Sequence, residues 1–189
     1  PPYAPRVAAF ARPWPGAVAI ALGSAETGFV PRQAIEQAAV MGELSGALGP
    51  GPLWRYDRAN TITVRLYGGT LASLPEATLL NGGNVAAIGT AETGFEVIQF
   101  RVATLIDTDL WELSDLLRGQ GGTGDIAAGG HAVGARFVLL DDAVTPLAVS
   151  EAEAALSLTA RCGPADTVYD PDIFVDIALT PARRGYRCL

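Results

Sequence analysis

The sequence predicts a mainly β protein: an antiparallel, partly closed β-barrel or sandwich of short strands with an appended C-terminal β-hairpin. Three observations carry this reading. Val, Ile, Thr and aromatic residues recur in short runs cut by Gly, Pro and Asn, and 22 glycines and 13 prolines in 189 residues supply the turns. Residues 61–66 and 95–102 alternate apolar with polar side chains, the period of a strand with one buried face. Turn signals recur along the chain, among them Pro13-Trp14-Pro15-Gly16, Gly49-Pro50-Gly51-Pro52 and Asn81-Gly82.

In chain order, residues 7–12 and 17–22 read as short strands around the Pro13–Gly16 turn. Residues 23–29 (GSAETGF) form a turn, and nearly the same heptad returns at 89–95 (GTAETGF), so two hairpins share one turn chemistry. Residues 33–48 have the composition of a short helix, and also read as strands over 34–40 and 41–48. The Gly-Pro repeat at 49–52 is the strongest internal break. Residues 53–67 carry the longest strand pattern. Residues 77–80 read as a short strand turning at Asn81-Gly82 into a returning strand over 84–88.

The stretch 95–125 is central. Strand 95–102 leads through the turn Asp107-Thr108-Asp109 to a second apolar run over 110–117. The run Arg118 to Asp125 then ends regular structure in a glycine loop. Arg118 is expected to anchor this loop by hydrogen bonds to nearby carbonyls or to Asp125. Residues 136–140 form an apolar strand buried on both faces, continued over 144–149. Ser150 ahead of Glu151 and Glu153 is a helix N-cap signal. A last strand covers 173–179. This divides the chain into a β domain over 1–149, with the internal break near 49–52, and an appended β segment over 150–189.

Composition narrows the function. At 189 residues with 49% hydrophobic content, the chain buries a true core without staples. A net charge of −7 argues against nucleic-acid binding as its main task, because such binding needs a basic footprint. All 13 basic residues are arginine. No window approaches the ~20 apolar residues of a membrane span. The opening Pro1-Pro2-Tyr3 reads as the interior of a longer chain. Cys162 and Cys188 lack zinc-site spacing; a disulfide between paired strands and two idle thiols both remain open.

The residues suggest no reaction and no cofactor. His131 is the sole histidine, and no G-x-S-x-G elbow accompanies it. The glycine loop lacks the Lys-Ser/Thr ending of a P-loop. Carboxylates at Asp107/Asp109, Asp141/Asp142 and Glu151/Glu153 fall at turns and strand ends, where turn chemistry alone accounts for them. We expect no catalytic residues and no metal site. Trp14, Trp54 and Trp111 fit core or sheet-edge packing; the alternative is that they form an interface or sugar platform.

Several blocks resemble a known family: residues 54–61 (WRYDRANT), 80–85 (LNGGNV), 95–100 (FEVIQF), 116–120 (LLRGQ), Gly122-Thr123, 134–141 (GARFVLLD) and 11–16 (ARPWPG). Together they resemble the C-terminal region of the large baseplate protein of gene transfer agents, sometimes called the megatron, and related phage tail-tip or host-specificity proteins. The resemblance favours strands over 34–48. It implies a structural part of a virion-like tail tip: a homotrimeric hub around a DNA-delivery channel, contacting other baseplate and tail proteins and facing the host cell surface. DNA would pass an acidic lining without specific binding. Larger family members carry an upstream barrel domain resembling glycoside hydrolases. None of it lies in this chain, so the resemblance implies no enzyme activity. The family has an acidic residue directly after the Gly-Thr of the loop, whereas here Gly124 precedes Asp125. A receptor- or glycan-binding module using the three tryptophans is the alternative.

Overall fold

A computed structural model describes residues 5–24, 28–150 and 152–179. In chain order, β1 (Arg6–Val7), β2 (Val18–Gly23), β3 (Val30–Ile35), β4 (Met41–Leu44) and β5 (Ile62–Leu66) precede helix α1 (Glu76–Leu80). Next come β6 (Val85–Thr90), β7 (Gly94–Asp107), β8 (Leu110–Gln120) and helix α2 (Gly124–Ala127). The chain continues with β9 (Arg136–Leu139), β10 (Thr145–Pro146), a 3-10 turn at Glu153–Ala155, β11 (Leu158–Pro164) and β12 (Val175–Leu179).

The protein is mainly β and antiparallel, as its patterning predicts, and the barrel closes fully. Six strands run β4-β5-β8-β7-β6-β9 and back to β4. Closure removes every strand edge from these six, so no backbone row is left to pair elsewhere. The interior is filled by alternate residues: Ile62, Val64 and Leu66 from β5, Ile98 and Phe100 from β7, Ala86 and Ile88 from β6, and Phe137 from β9. Phe100 and Phe137 meet in a tilted ring pair with centroids 6.4 Å apart. At Gly42 the barrel has no room for a side chain. A Cβ there would sit 2.2 Å from the Arg65 carbonyl oxygen across the β4–β5 pair.

The barrel unit is Ala39–Asp141, and among the described residues a second unit joins those before 39 to 142–179. The division therefore falls at 38/39 and 141/142, and not at 149/150 or at 49–52. Pairing across the chain decides this: β11 pairs with β2 near the chain start as well as with β12. The resulting sheet has the order β12-β11-β2-β3. The expected C-terminal hairpin exists as β11–β12, but as half of this sheet. Ile20, Leu22, Ile35, Leu147, Leu158 and Ala160 form its separate core. The repeated heptad marks one hairpin in each unit, β2–β3 and β6–β7.

Several elements differ from the sequence expectation. The strand expected over 7–12 is only Arg6–Val7, and the continuation over 144–149 only Thr145–Pro146. Of residues 34–48, strand structure covers β3 up to Ile35 and then β4, with Leu48 in an isolated bridge to His131. Of residues 53–67, only β5 is strand, because the chain before it is spent turning around Asp57. Residues 77–80 belong to helix α1. There Glu76 sits in the first turn after Pro75, and Leu79 is fully buried. Asn81-Gly82 accordingly closes a helix end, where the Gly82 amide donates to the Leu79 carbonyl. The glycine run does not end regular structure at Arg118, since β8 continues to Gln120 and α2 follows. Ser150 does cap the 3-10 turn: its hydroxyl accepts from the Glu153 amide at 3.3 Å, and its own amide donates to that carboxylate at 2.9 Å. Cys162 is a free thiol whose pKa burial pushes up; Cys188 lies outside the described residues.

Candidate functional site

One end of the barrel holds a buried charged cluster. Strand alternation places its two central members. In β7 the inward positions continue from Phe100 through Ile98 to Glu96, and in β8 from Leu116 to Arg118. At Arg118 two residues of β8, Arg118 and Gly119, face the single Ile98 of β7, and Gly119 takes the left-handed conformation (φ +61°) that this bulge requires. The bulge turns the Gly119 amide inward, where it donates to Glu96 Oε1 at 2.9 Å.

The Arg118 guanidinium grips Glu96 with both arms, Nε to Oε1 at 2.7 Å and Nη2 to Oε2 at 2.8 Å. Its remaining Nη1 donates to the Gly49 carbonyl at 3.1 Å and to Asp57 Oδ2 at 3.3 Å. Asp57 also accepts from the Ala59 and Asn60 amides and from Asn60 Nδ2. His131 Nε2 lies 2.8 Å from Glu96 Oε2. An ionised carboxylate only accepts, so His131 donates its Nε2–H. The side chains of Arg118, Glu96, Asp57 and His131 are 0–1% exposed.

These contacts tie four chain segments together. Asp57 and Leu116 exchange backbone hydrogen bonds at 2.8 and 3.0 Å, and Leu48 and His131 at 2.8 and 2.7 Å. The loop 49–60, the turn at 131 and the ends of β7 and β8 are thus held by one network. Its carboxylates are saturated with donors, and such satisfied networks specify a single arrangement of the chain. Its four charged or titratable side chains are all shielded from solvent. Its chemistry is that of a clamp.

Electrostatics support this role. Burial alone would push the Glu96 carboxyl up, but hydrogen bonds from His131 and then Arg118 outweigh it and hold Glu96 below the usual carboxylate range. A carboxylate with a folded-state pKa below its unfolded one stabilises fully above about pH 4.3, the unfolded value. That stability is lost as pH falls through the folded value. Urea unfolding midpoints are therefore expected to hold from pH 7 to 5 and then drop towards pH 3. A Glu96→Gln chain, less stable at pH 7, should show a shallower drop; equal slopes in both would refute the assignment.

The structure brings only part of the sequence-selected set together. Arg118 does reach a carbonyl, but that of Gly49 in a distant loop, and its main partner is Glu96 rather than its own glycine loop. Asp125 takes no part: it is exposed on α2 and receives no bond from Arg118. Gly124 meets Leu53, and the loop is pinned by Thr123, whose Oγ1 accepts from the Val97 amide at 3.0 Å and donates to the Gln120 carbonyl at 2.8 Å. Trp14 and Trp111 are half-buried and pack against the two cores, which favours packing for both. Trp54 is 98% exposed and has a left-handed backbone (φ +63°). Trp54→Ala is expected to leave thermal stability unchanged to within about 0.5 kcal/mol; a larger loss would show that Trp54 packs in solution.

Sequence reading missed Glu96, Asp57 and His131. A signal for Glu96 was present, since it occupies the same parity as Ile98 and Phe100 in the alternating strand. Asp57 and His131 lie in irregular chain, where parity has no meaning. A second, surface cluster was also missed. Asp115, left-handed at φ +52°, is held by Arg101 Nε at 2.8 Å and Arg58 Nε at 3.3 Å. The Arg101 hydrogen bond holds its carboxyl below the usual range despite partial burial.

Comparison with known families places the barrel. The family model described as Rcc01698-like, C-terminal matches residues 39–138, nearly the whole barrel unit. No curated protein matches the sequence.

Proposed function

The chain belongs to the Rcc01698-like, C-terminal family, and on that premise we propose that it is a structural subunit of the baseplate or tail tip of a phage-like particle of the gene transfer agent kind. In this reading it is the C-terminal part of a megatron-type protein. It forms part of a trimeric hub around the DNA-delivery channel and contacts neighbouring baseplate and tail proteins. The observation that carries the reading is the coincidence of the family match with the closed barrel. The blocks resembling such proteins fall largely on the same unit. Three of them contain the clamp residues: Asp57 and Asn60 in 54–61, Glu96 in 95–100 and Arg118 in 116–120. A barrel without open edges and with a buried ionic clamp suits a part that must keep its shape under load. A net charge of −7 suits a channel wall along which DNA slides without sticking.

The test is deletion of residues 39–141 from the parent particle, with electron microscopy of the product. Tails lacking the tip density and unable to deliver DNA are expected. Intact tails with normal DNA delivery would overturn the reading. A second reading, a glycan- or receptor-binding module facing the host, is favoured by the full exposure of Trp54 alone. It requires host polysaccharide binding that Trp54→Ala abolishes. We expect no release of peptidoglycan fragments by the chain.

A further inference from the structure

Two exposed patches on the barrel unit have complementary chemistry and lie at opposite ends of one strand. The first is the loop over the clamp. Leu53 Cδ2 lies against Gly119, 2.6 Å from where a Cβ would stand, and Leu53 Cδ1 lies 2.8 Å from the same point on Gly124, so the loop is seated on these glycines. It then presents Trp54 fully to solvent, followed by exposed Arg55. Arg58 stacks over the Tyr56 ring at 5.2 Å. No ion pair or hydrogen bond engages Arg55 among the described residues, although the exposed Asp125 sits on the adjoining helix. An acidic protein thus displays Trp54 and Arg55 side by side, with half-buried Tyr56 and the Asp115-paired Arg58 behind them, and Trp and Arg are the residue types most enriched where binding energy concentrates.

The second patch is the tip of the β7–β8 hairpin. The register shifts between Leu105 and Asp107, leaving Ile106 as the extra residue. Leu105 and Ile106 are consequently both exposed, at 57% and 49%. Asp107 and Glu112 are exposed beside them. Arg65 on the paired strand donates to the Thr108 carbonyl at 3.0 Å and is one cation against the carboxylates of Asp107, Asp109 and Glu112. The tip is therefore apolar and acidic where the loop is aromatic and basic.

The patches are fixed to the two ends of β8. The tip leads into Leu110, and the loop is seated at Arg118 and Gly119. That separation is about 30 Å at strand rise, so the patches cannot meet within one chain. We propose that they meet between chains: the Trp54–Arg55 loop of one copy docks on the Leu105–Asp107 tip of a second copy. The contact is heterologous, using different surfaces on the two partners, and so repeats into a closed ring or a rod according to the rotation at each step. Its occupant is named by charge and shape: a second copy offers an apolar pair flanked by carboxylates, and the loop offers the Trp54 ring beside the unengaged Arg55 guanidinium. The inference rests on the self-assembling reading above and specifies its contact.

Sedimentation velocity on the chain across a concentration series tests it. Wild type should associate reversibly. Trp54→Ala should weaken association about 30-fold or more, and Ile106→Asp should do the same, with unchanged melting curves for both. A mixture of the two variants should form heterodimers and nothing larger, since each retains one intact patch. Arg55→Asp and Asp107→Arg should each weaken association about three- to fivefold, and both changes in one chain should restore it. Association that persists in Trp54→Ala and Ile106→Asp overturns this contact while leaving self-assembly standing. A wild-type chain monomeric at every concentration overturns both.

Discussion

Replacing Arg118 with alanine is expected to cost about 3–5 kcal/mol of stability, seen as a lowered urea midpoint with little change in slope. The size follows from what is left behind. Without the guanidinium, Glu96 and Asp57 remain as two buried carboxylates, and the Gly49 carbonyl loses a donor. Each carboxylate must then be protonated, hydrated by rearrangement or left buried without its counter-charge, and all three outcomes are costly in a site with no exposure. The cost should fall when the partner is already neutral. In a Glu96→Gln background, Arg118→Ala should cost clearly less than it does alone, giving a coupling energy of order 1–3 kcal/mol. A fully stable Arg118→Ala chain would show that the cluster is incidental to the fold. Additive single costs would show that Arg118 and Glu96 do not act together.

Gly42→Ala is the second large effect, expected at about 2–3 kcal/mol. Its cause is close approach across the barrel wall. The added methyl would lie 2.2 Å from the Arg65 carbonyl oxygen and 2.9 Å from the Leu66 Cα. Both obstacles are backbone, so no rotamer change relieves them. Gly42 also pairs with Phe137 on its other side, which blocks retreat in that direction. The strand must separate from β5, and a closed barrel cannot open one seam without disturbing the rest. Hydrogen exchange should show β4 and β5 amides losing protection together. If exchange and melting are unchanged, the close approach at this seam is not as described.

How much of this was legible depends on where each residue sits. The alternation at Thr61–Leu66 and Phe95–Val102 marked β5 and β7 correctly, because a half-buried strand writes its two faces directly into sequence parity. The Asp107–Asp109 turn between two apolar runs marked the β7–β8 hairpin for the same reason. Helix α1 reads as strand in sequence, since a five-residue helix shows little more than one turn of its period. Arg118 stands out in the sequence only as a loop anchor near Asp125. Its true partners lie 22 and 61 positions away, at Glu96 and Asp57. Local spacing carries no information about such pairs.

Local patterning is enough to set the class of the protein: antiparallel β, acidic, with strands and turns laid out by parity, glycine and proline. Those are local properties, set by backbone sterics and by which side of each strand avoids water. Long-range pairing is what closes six strands into a barrel, joins β2 and β3 to β11 and β12 in a second sheet, and gathers four polar residues far apart in sequence into one dry clamp. Each of these depends on contacts between distant segments. Their free energy comes from burial and charge pairing that exist only once the chain has brought those segments together.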